Sequence, residues 1–551
     1  MPLSSSALAR ALARLPRGRL GVNTLLVLVA LYLSLTQNLT LWRQVLRGLP
    51  GDLGAQELGI LATLFLALNL VLVLATAAFS ARVLVKPALV FVLVAAAVCA
   101  HFMDNYGVII DAAMVTNLFH TDAREAGELL GLSFFLRVGL FGAIPAIAVA
   151  RVELVRGGAA GELARRLVLA LLVVATFAGC AALNYKSVAL WIRAHRDIRL
   201  YANPTYPLYA LGRYLQVTFQ APRRPPTPIA GDAVRAPSLS GKPRVVVLVL
   251  GEAARAENFS LLGYGRPTNP ELSAIPGLVS FSNVWSCATA TAESVPCMFS
   301  RLGRAGFSRS RALAEENLLD VLQRTGVAVT WRENNSDCGS VCARVPTEDF
   351  RGRKVEGLCD GADCHDEILL EGLDRLVGAA GGDRIIVLHL LGSHGPSYYR
   401  RYPPAFRRFL PECAQNDVQH CSREAIVNAY DNSLVYSDHV VARVIGILQR
   451  HQSGIEPTLL YISDHGESLG ESGIYLHTLP YALAPDVQKH VPLLLWAPAL
   501  DAACVAHRRD RPASHDNLFH TLLGLFGVST RDYREDTDLL RGCQPGGAGV
   551  S

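Results

Sequence analysis

Val245-Val-Val-Leu-Val-Leu-Gly-Glu252 decides the fold: six consecutive apolar residues, mostly β-branched, end on a glycine and a carboxylate. With no polar residue on either face, such a strand avoids water on both sides, as central strands of parallel sheets do. Residues 385–391 and 459–463 read the same way. Helical patterns separate the three runs, which implies an α/β domain built on a parallel or mixed sheet. Each run delivers polar residues at its carboxyl end: Glu252 after the first, Ser393-His394 after the second, Asp464-His465-Gly466-Glu467 after the third. Ligands gather at that edge of such sheets, so three coincident ends define one candidate site.

The residue types narrow its chemistry. Glu252, Asp464 and His465 offer two carboxylates and an imidazole, which suit zinc and leave room for a fourth, reactive ligand. An isolated Asp-His pair after a strand is usually ordinary surface; here it stands beside a second segment. That segment is Ser286-Cys-Ala-Thr-Ala-Thr-Ala-Glu-Ser-Val-Pro-Cys-Met-Phe-Ser300. Its small residues suit a tight turn, and residues 292–301 can open a helix. A hydroxyl at a helix N-terminus lies beside backbone N–H groups that cradle phosphate. Thr289, Thr291 and Ser294 are the candidate nucleophiles, and spacing does not choose among them. His389, inside its strand, reads as a packed core histidine rather than a ligand.

Working outward, 551 residues exceed one typical core and imply two units. The apolar share is 51% and the mean hydropathy +0.27, an excess concentrated before about residue 185. Five stretches there, 22–42, 58–81, 87–103, 132–150 and 167–183, are candidates to span a bilayer core of about 30 Å. The third and fifth are short, and Arg137 inside the fourth is expected to snorkel toward an interface. The first is too long for a signal-peptide core and lacks a small-x-small cleavage site. Arg10, Arg14, Arg17 and Arg19 precede the first span, Arg82 and Lys86 follow the second, and Arg151, Arg156, Arg165 and Arg166 follow the fourth. By the positive-inside rule the N-terminus is cytoplasmic, with Arg43 and Arg47 dissenting, and five spans leave everything after residue 183 outside. The cysteines agree independently. Ten of the 12 lie in the second half, without C-x-x-C pairs, which favours disulfides in an oxidising compartment over zinc knuckles. The expected pairs are Cys287–Cys297, Cys338–Cys342 and Cys413–Cys421, the rest left open. A net charge of +5 with arginines flanking apolar runs excludes a nucleic-acid-binding stripe.

The expected organisation is a transmembrane domain over 1–184, with an interfacial loop at about 104–131. Interfacial helices and a Pro-rich tether follow over 185–243, and a catalytic domain over 244–551. Tyrosines and Trp191 among arginines carry the interfacial reading.

Five segments then carry a resemblance. Val249-Leu-Gly-Glu-Ala-Ala-Arg-Ala-Glu-Asn-Phe-Ser260, Gly263-Tyr-Gly-Arg-Pro-Thr-Asn-Pro270, the Ser286–Ser300 segment, Gly392-Ser-His-Gly-Pro-Ser-Tyr-Tyr399 and Ser463-Asp-His-Gly-Glu-Ser-Leu-Gly-Glu471 resemble the phosphoethanolamine transferases that modify lipid A in Gram-negative bacteria. The resemblance runs over nearly the whole chain. It implies five transmembrane helices and a sulfatase/alkaline-phosphatase-like α/β domain, in a multi-pass protein of the bacterial inner membrane with its catalytic domain in the periplasm. It implies transfer of phosphoethanolamine from phosphatidylethanolamine to a lipid A phosphate or other lipopolysaccharide site, through a phosphoethanolamine-threonine intermediate, favouring polymyxin resistance. It selects Thr291 as nucleophile. It places one zinc on Glu252, Thr291, Asp464 and His465, with a second possible through His394 and His477. His394 and His477 are expected in catalysis and, with Asn335 and Glu467, in headgroup binding. The chain is expected to act as a monomer. The family often carries a lysine where this sequence has Gly339, so one phosphate-facing cation is missing; either Ser340 or a nearby arginine substitutes, or headgroup binding is weaker.

Four other readings compete. Transfer to an inner-core sugar or periplasmic glycan uses the same donor half-reaction. A lipoteichoic-acid-synthase-like glycerolphosphate transferase shares the spans and the threonine, but the Cys-rich second half argues against it. A plain phosphatase or sulfatase needs no five-span anchor, and a sulfatase nucleophile would be a Cys or Ser in a C/S-x-P-x-R turn; a non-catalytic membrane receptor is the most distant class.

Overall fold

The computed structural model describes residues 18–78, 83–120, 123–155, 158–220, 225–335, 338–359, 363–379 and 381–544. Arg10, Arg14, Arg17, Arg82 and Arg156 of the orientation argument, and residues 79–81 of the second expected span, lie outside them. Contacts divide the chain into two units: 1–111 with 132–212, and 112–131 with 213–551.

The first unit contains α1 (Val22–Thr36), α2 (Leu39–Arg47), α3 (Ala55–Ala78) and α4 (Val85–Tyr106). In sequence α5 (Ala112–His120) and α6 (Ala123–Leu129) come next and group with the second unit. The first unit resumes with α7 (Leu132–Arg151), α8 (Ala159–Leu183) and α9 (Tyr185–Ala194). Four of these helices, α3, α4, α7 and α8, are long and apolar enough to cross a membrane, and α1–α2 makes a fifth if counted as one bent span. The third and fifth spans are longer than expected, at 22 and 25 residues.

The first span is bent by 58° between α1 and α2. In hydrocarbon the backbone groups such a break releases need partners, and two buried asparagines supply them. Asn38 Nδ2 donates to the carbonyls of Leu33 (2.9 Å) and Asn203 (2.7 Å). Asn203 Nδ2 donates to those of Gln37 (2.9 Å) and Ala96 (2.8 Å). Arg137 does not simply snorkel: its guanidinium is 2.5 Å from Asp104 Oδ2, whose other oxygen accepts from the Thr40 hydroxyl at 2.6 Å. A buried charge that finds a partner has no need to reach for water.

The second unit is a seven-stranded mixed sheet. Its strands are β1 (Arg244–Gly251), β2 (Leu278–Phe281), β3 (Ala328–Glu333), β4 (Thr347–Asp349), β5 (Arg384–His389), β6 (Glu456–Ser463) and β7 (Leu493–Trp496). The order is β2-β7-β6-β1-β5-β3-β4. Strand β1 is central and pairs in parallel with β5 and β6, while β7 runs antiparallel to β6 and β2. Val245–Leu250 are all buried, as the unbroken apolar run requires. Registers Gly251↔Ser463 and Leu250↔His389 bring the carboxyl ends of the three sequence-flagged strands side by side. α10 (Thr205–Gln220), α11 (Thr291–Met298), α12 (Arg309–Ala314) and α13 (Arg423–His451) complete the elements needed below. All ten cysteines of this half are paired: 287–297, 338–342, 359–364, 413–421 and 504–543.

Candidate active site

Glu252 follows β1 directly, and Asp464 and His465 follow β6. The Asp464 N–H donates to the Gly251 carbonyl at 3.0 Å, locking the two strand ends together. Gly392, at the end of β5, allows the third end to approach: its φ is +55°, and a Cβ there would lie 2.8 Å from the Glu252 carbonyl oxygen. Glu252, Asp464 and His465 are wholly buried, and one ligand atom from each lies within 4.8 Å of the others.

His465 Nδ1 is 2.9 Å from the Gly466 carbonyl, the natural donor arrangement, which turns the Nε2 lone pair inward. That Nε2 faces Glu252 Oε1 at 3.2 Å and Asp464 Oδ2 at 3.3 Å. Both carboxylate oxygens are buried without a hydrogen bond. Three inward-facing acceptors with no donor among them call for a cation. Without an ion the two carboxylates draw positive charge onto the imidazole instead. Burial and the neighbouring Glu252 charge push Asp464 upward, against the pull of His465. Burial works against a charged His465, yet Asp464 and Glu252 outweigh it and raise its pKa. Burial would also raise Glu252, but the imidazoles of His465, His394 and His477 hold it below the usual carboxylate range.

The three hydroxyls that spacing left in contention are separated by geometry. Thr289 Oγ1 donates to the Leu479 carbonyl at 2.6 Å, and Ser294 Oγ to the Asp464 carbonyl at 2.5 Å. Thr291 opens α11, and its Oγ1 donates to Glu252 Oε2 at 3.1 Å while standing 3.1 Å from His465 Nε2. Cys287–Cys297 ties the turn before α11 to the helix itself.

On the other side of His465, the His477 ring centroid is 4.2 Å away, and the His394 ring is 5.6 Å from His477. His477 Nδ1 meets Glu467 Oε2 at 2.8 Å, and Glu467 Oε1 accepts from the Tyr398 hydroxyl at 2.5 Å. Burial, then the charge of His465, depress His477 and keep it neutral. Asn335 reaches the site differently from a surface contact: its Nδ2 donates to Glu252 Oε2 at 2.8 Å and to the Leu390 carbonyl at 2.9 Å. His389 is wholly buried in the core, with Nδ1 2.9 Å from Glu333 Oε1.

Several supporting residues escaped sequence reasoning. Glu333 anchors His389 and accepts the Asn335 N–H at 2.7 Å; its only sequence signal is a carboxylate two positions before Asn335. His515 Nδ1 accepts the Cys287 N–H at 3.0 Å, and its Nε2 lies 2.9 Å from the Ser463 carbonyl; no local motif marks it. Arg401 Nε donates to the His394 carbonyl at 2.8 Å, and its Nη2 pairs with Glu128 of α6 at 2.7 Å, both side chains 3% exposed.

Residues 244–528 match the sulfatase family, and residues 65–219 match the family described as phosphoethanolamine transferase EptA/EptB. Fold and site thus define a membrane-embedded enzyme with a sulfatase-type catalytic domain. Phosphoethanolamine transferase EptA of Escherichia coli (strain K12) is 39% identical, over 96% of this chain and 98% of its own. Phosphatidylethanolamine transferase Mcr-1 of Escherichia coli is 37% identical, over 93% of this chain and 96% of its own. The integral membrane protein lipooligosaccharide phosphoethanolamine transferase A (EptA) from Neisseria meningitidis superposes with a TM-score of 0.92 at 33% identity, covering 96% and 99% of the two chains. The chain belongs to the phosphoethanolamine transferase EptA/EptB family and is an enzyme of that transferase class.

Proposed function

We propose that this enzyme transfers phosphoethanolamine from phosphatidylethanolamine to a phosphate of lipid A, or another lipopolysaccharide site, through a covalent intermediate on Thr291. The lipooligosaccharide substrate of the Neisseria relative supports the acceptor class. One observation carries the nucleophile: Thr291 Oγ1 is the hydroxyl that lies 3.1 Å from both Glu252 and His465. Glu252, Asp464, His465 and Thr291 would hold one zinc, whose positive charge, when bound, would make the hydroxyl acidic enough to react near neutral pH.

The residues divide the remaining work. Thr291 Oγ forms a bond to phosphorus while the bond from phosphorus to the diacylglycerol oxygen breaks, and that oxygen leaves with a proton. In the second half, an acceptor phosphate oxygen bonds to the same phosphorus and the Thr291–phosphorus bond breaks, so the hydroxyl is restored. Glu467 orients His477 through Nδ1, leaving Nε2 of the neutral ring to take or give the proton at leaving and attacking oxygens. His394 shares that side of the site and stabilises the phosphoryl oxygens. Asn335 acts mainly by fixing Glu252, with Glu467 contributing to the headgroup pocket. A second zinc on the His394–His477 side remains part of this reading, as do monomeric action, an inner-membrane location and a periplasmic catalytic unit. Capping an anionic phosphate with an amine lowers surface negative charge and favours survival against polymyxin.

The test is expression in a Gram-negative host with lipid A mass spectrometry. Wild type should add phosphoethanolamine, and Thr291→Ala should lose at least about 1,000-fold of the activity, as loss of a covalent nucleophile does. Full transfer by Thr291→Ala would overturn the intermediate.

A further inference from the structure

A cavity of about 630 Å³ lies beside α11 in the second unit, separate from the Glu252–Thr291–Asp464–His465 cluster, none of which lines it. Its polar wall carries Arg213, Arg309 and Ser308, and its apolar wall Val217 and Phe307. Glu293, two residues beyond Thr291 on α11, forms another part of the lining. The cavity is tied to the reacting turn, because Arg309 Nη1 donates to the carbonyl of Ala292. Two guanidiniums and several hydroxyls, Ser308 and Ser310 among them, against one carboxylate favour a phosphate, which arginine recognises by geometry as well as charge. Two helices of the wall, α5 and α10, meet where Phe119 stacks on Tyr214 at 4.6 Å. They also expose Leu118, Phe119 and Phe219 at 59%, 56% and 84%. The apolar wall of Val217, Phe307 and Leu313 beside the two arginines fits an amphipathic ligand, and the volume fits a headgroup rather than a whole lipid.

We propose that this cavity seats a phosphate of the acceptor lipid other than the one that is modified. The assignment rests on the transferase reading above. The donor phosphorus must touch Thr291, which is not on the cavity wall, so the donor headgroup is not its occupant. A doubly phosphorylated acceptor then gains a second anchor, and the enzyme prefers it to the singly phosphorylated form of the same lipid.

The test uses the full-length protein in phosphatidylcholine vesicles containing phosphatidylethanolamine, with diacylglycerol release and group transfer followed separately. Wild type should show a KM about tenfold lower for a bis-phosphorylated than for a mono-phosphorylated acceptor. Arg213→Gln should erase that ratio while losing far less of its diacylglycerol release. Val217→Trp, which fills the cavity without touching a charge, should erase it too. An undiminished ratio in both variants, each with a wild-type thermal midpoint, would overturn the site. Inorganic phosphate should raise KM for the bis-phosphorylated acceptor only. Equal inhibition with both acceptors would place the ion at the reaction centre rather than in the cavity, which also overturns the assignment. Absence of diacylglycerol release in wild type would instead count against the transferase reading itself.

Discussion

Gly339 stands where the family often has lysine, and its surroundings show why a side chain is excluded. Its φ is +58°, and a Cβ would lie 2.7 Å from Pro296 Cγ of α11. Gly339→Lys should therefore fail to supply a useful cation. It should cost about 1–3 kcal/mol in stability from left-handed strain and overlap, read as a lower thermal midpoint with no gain in transfer. A second residue sets a pH limit. His515 is buried and spends its Nδ1 lone pair on the Cys287 N–H; burial pushes its pKa down to about 3. Below about 6.5 the unfolded chain takes up a proton that the folded chain refuses, so this contribution is complete above that pH. It is lost as pH falls toward 3, by about 1.4 kcal/mol per pH unit. Thermal midpoints recorded from pH 7 to 4 should fall with that slope, and His515→Gln should flatten it. At this scale the convergence of Glu252, Asp464 and His465 was legible because each follows an apolar run. Glu333 and His515 were not, because their partners lie 56 and 228 residues away.

Among the elements, α6 contributes one buried carboxylate with a large effect. Glu128 pairs with Arg401, which in turn holds the His394 carbonyl. Neutralising Glu128 leaves Arg401 with Asp363, at 3.4 Å, as its remaining carboxylate, so the cost falls below the figure of about 3–5 kcal/mol for a wholly uncompensated buried charge. Glu128→Gln should lower the thermal midpoint accordingly and reduce kcat for diacylglycerol release more than it changes KM, since Glu128 is buried and acts through Arg401. Strands β1, β5 and β6 were readable because their pattern is continuous and local. The antiparallel edge was not: Leu493-Leu-Leu-Trp496 in β7 is four apolar residues that carry no signal of direction. The bend in the first span escaped for a similar reason. Asn38 alone reads as a polar blemish, and its role appears only when Asn203, 165 residues on, closes the hydrogen bonds.

For the whole molecule, hydropathy and cysteine distribution independently separated a membrane half from a disulfide-bearing half, and the structure carries both. Cys504–Cys543 closes the longest of the five loops, with a separation of 39 residues. Constraining the unfolded chain over that length is worth about 3–4 kcal/mol. Cys504→Ala with Cys543→Ala should lose that much by denaturant titration of the detergent-solubilised protein, the reaction centre staying active at low temperature. What composition could not reveal was how the halves share the chain, because hydropathy reports on a segment's solvent and not on its neighbours.

That sharing has a consequence for heredity. The second unit is written in two pieces, 112–131 and 213–551, with a stretch of the first unit between them. A single crossover near Arg213 between diverged relatives would join a foreign α5–α6 to a resident catalytic unit. Glu128 and Arg401 would then come from different parents. Functional mosaics of these enzymes should therefore either keep both pieces from one ancestor or carry crossovers on each side of the 112–131 segment.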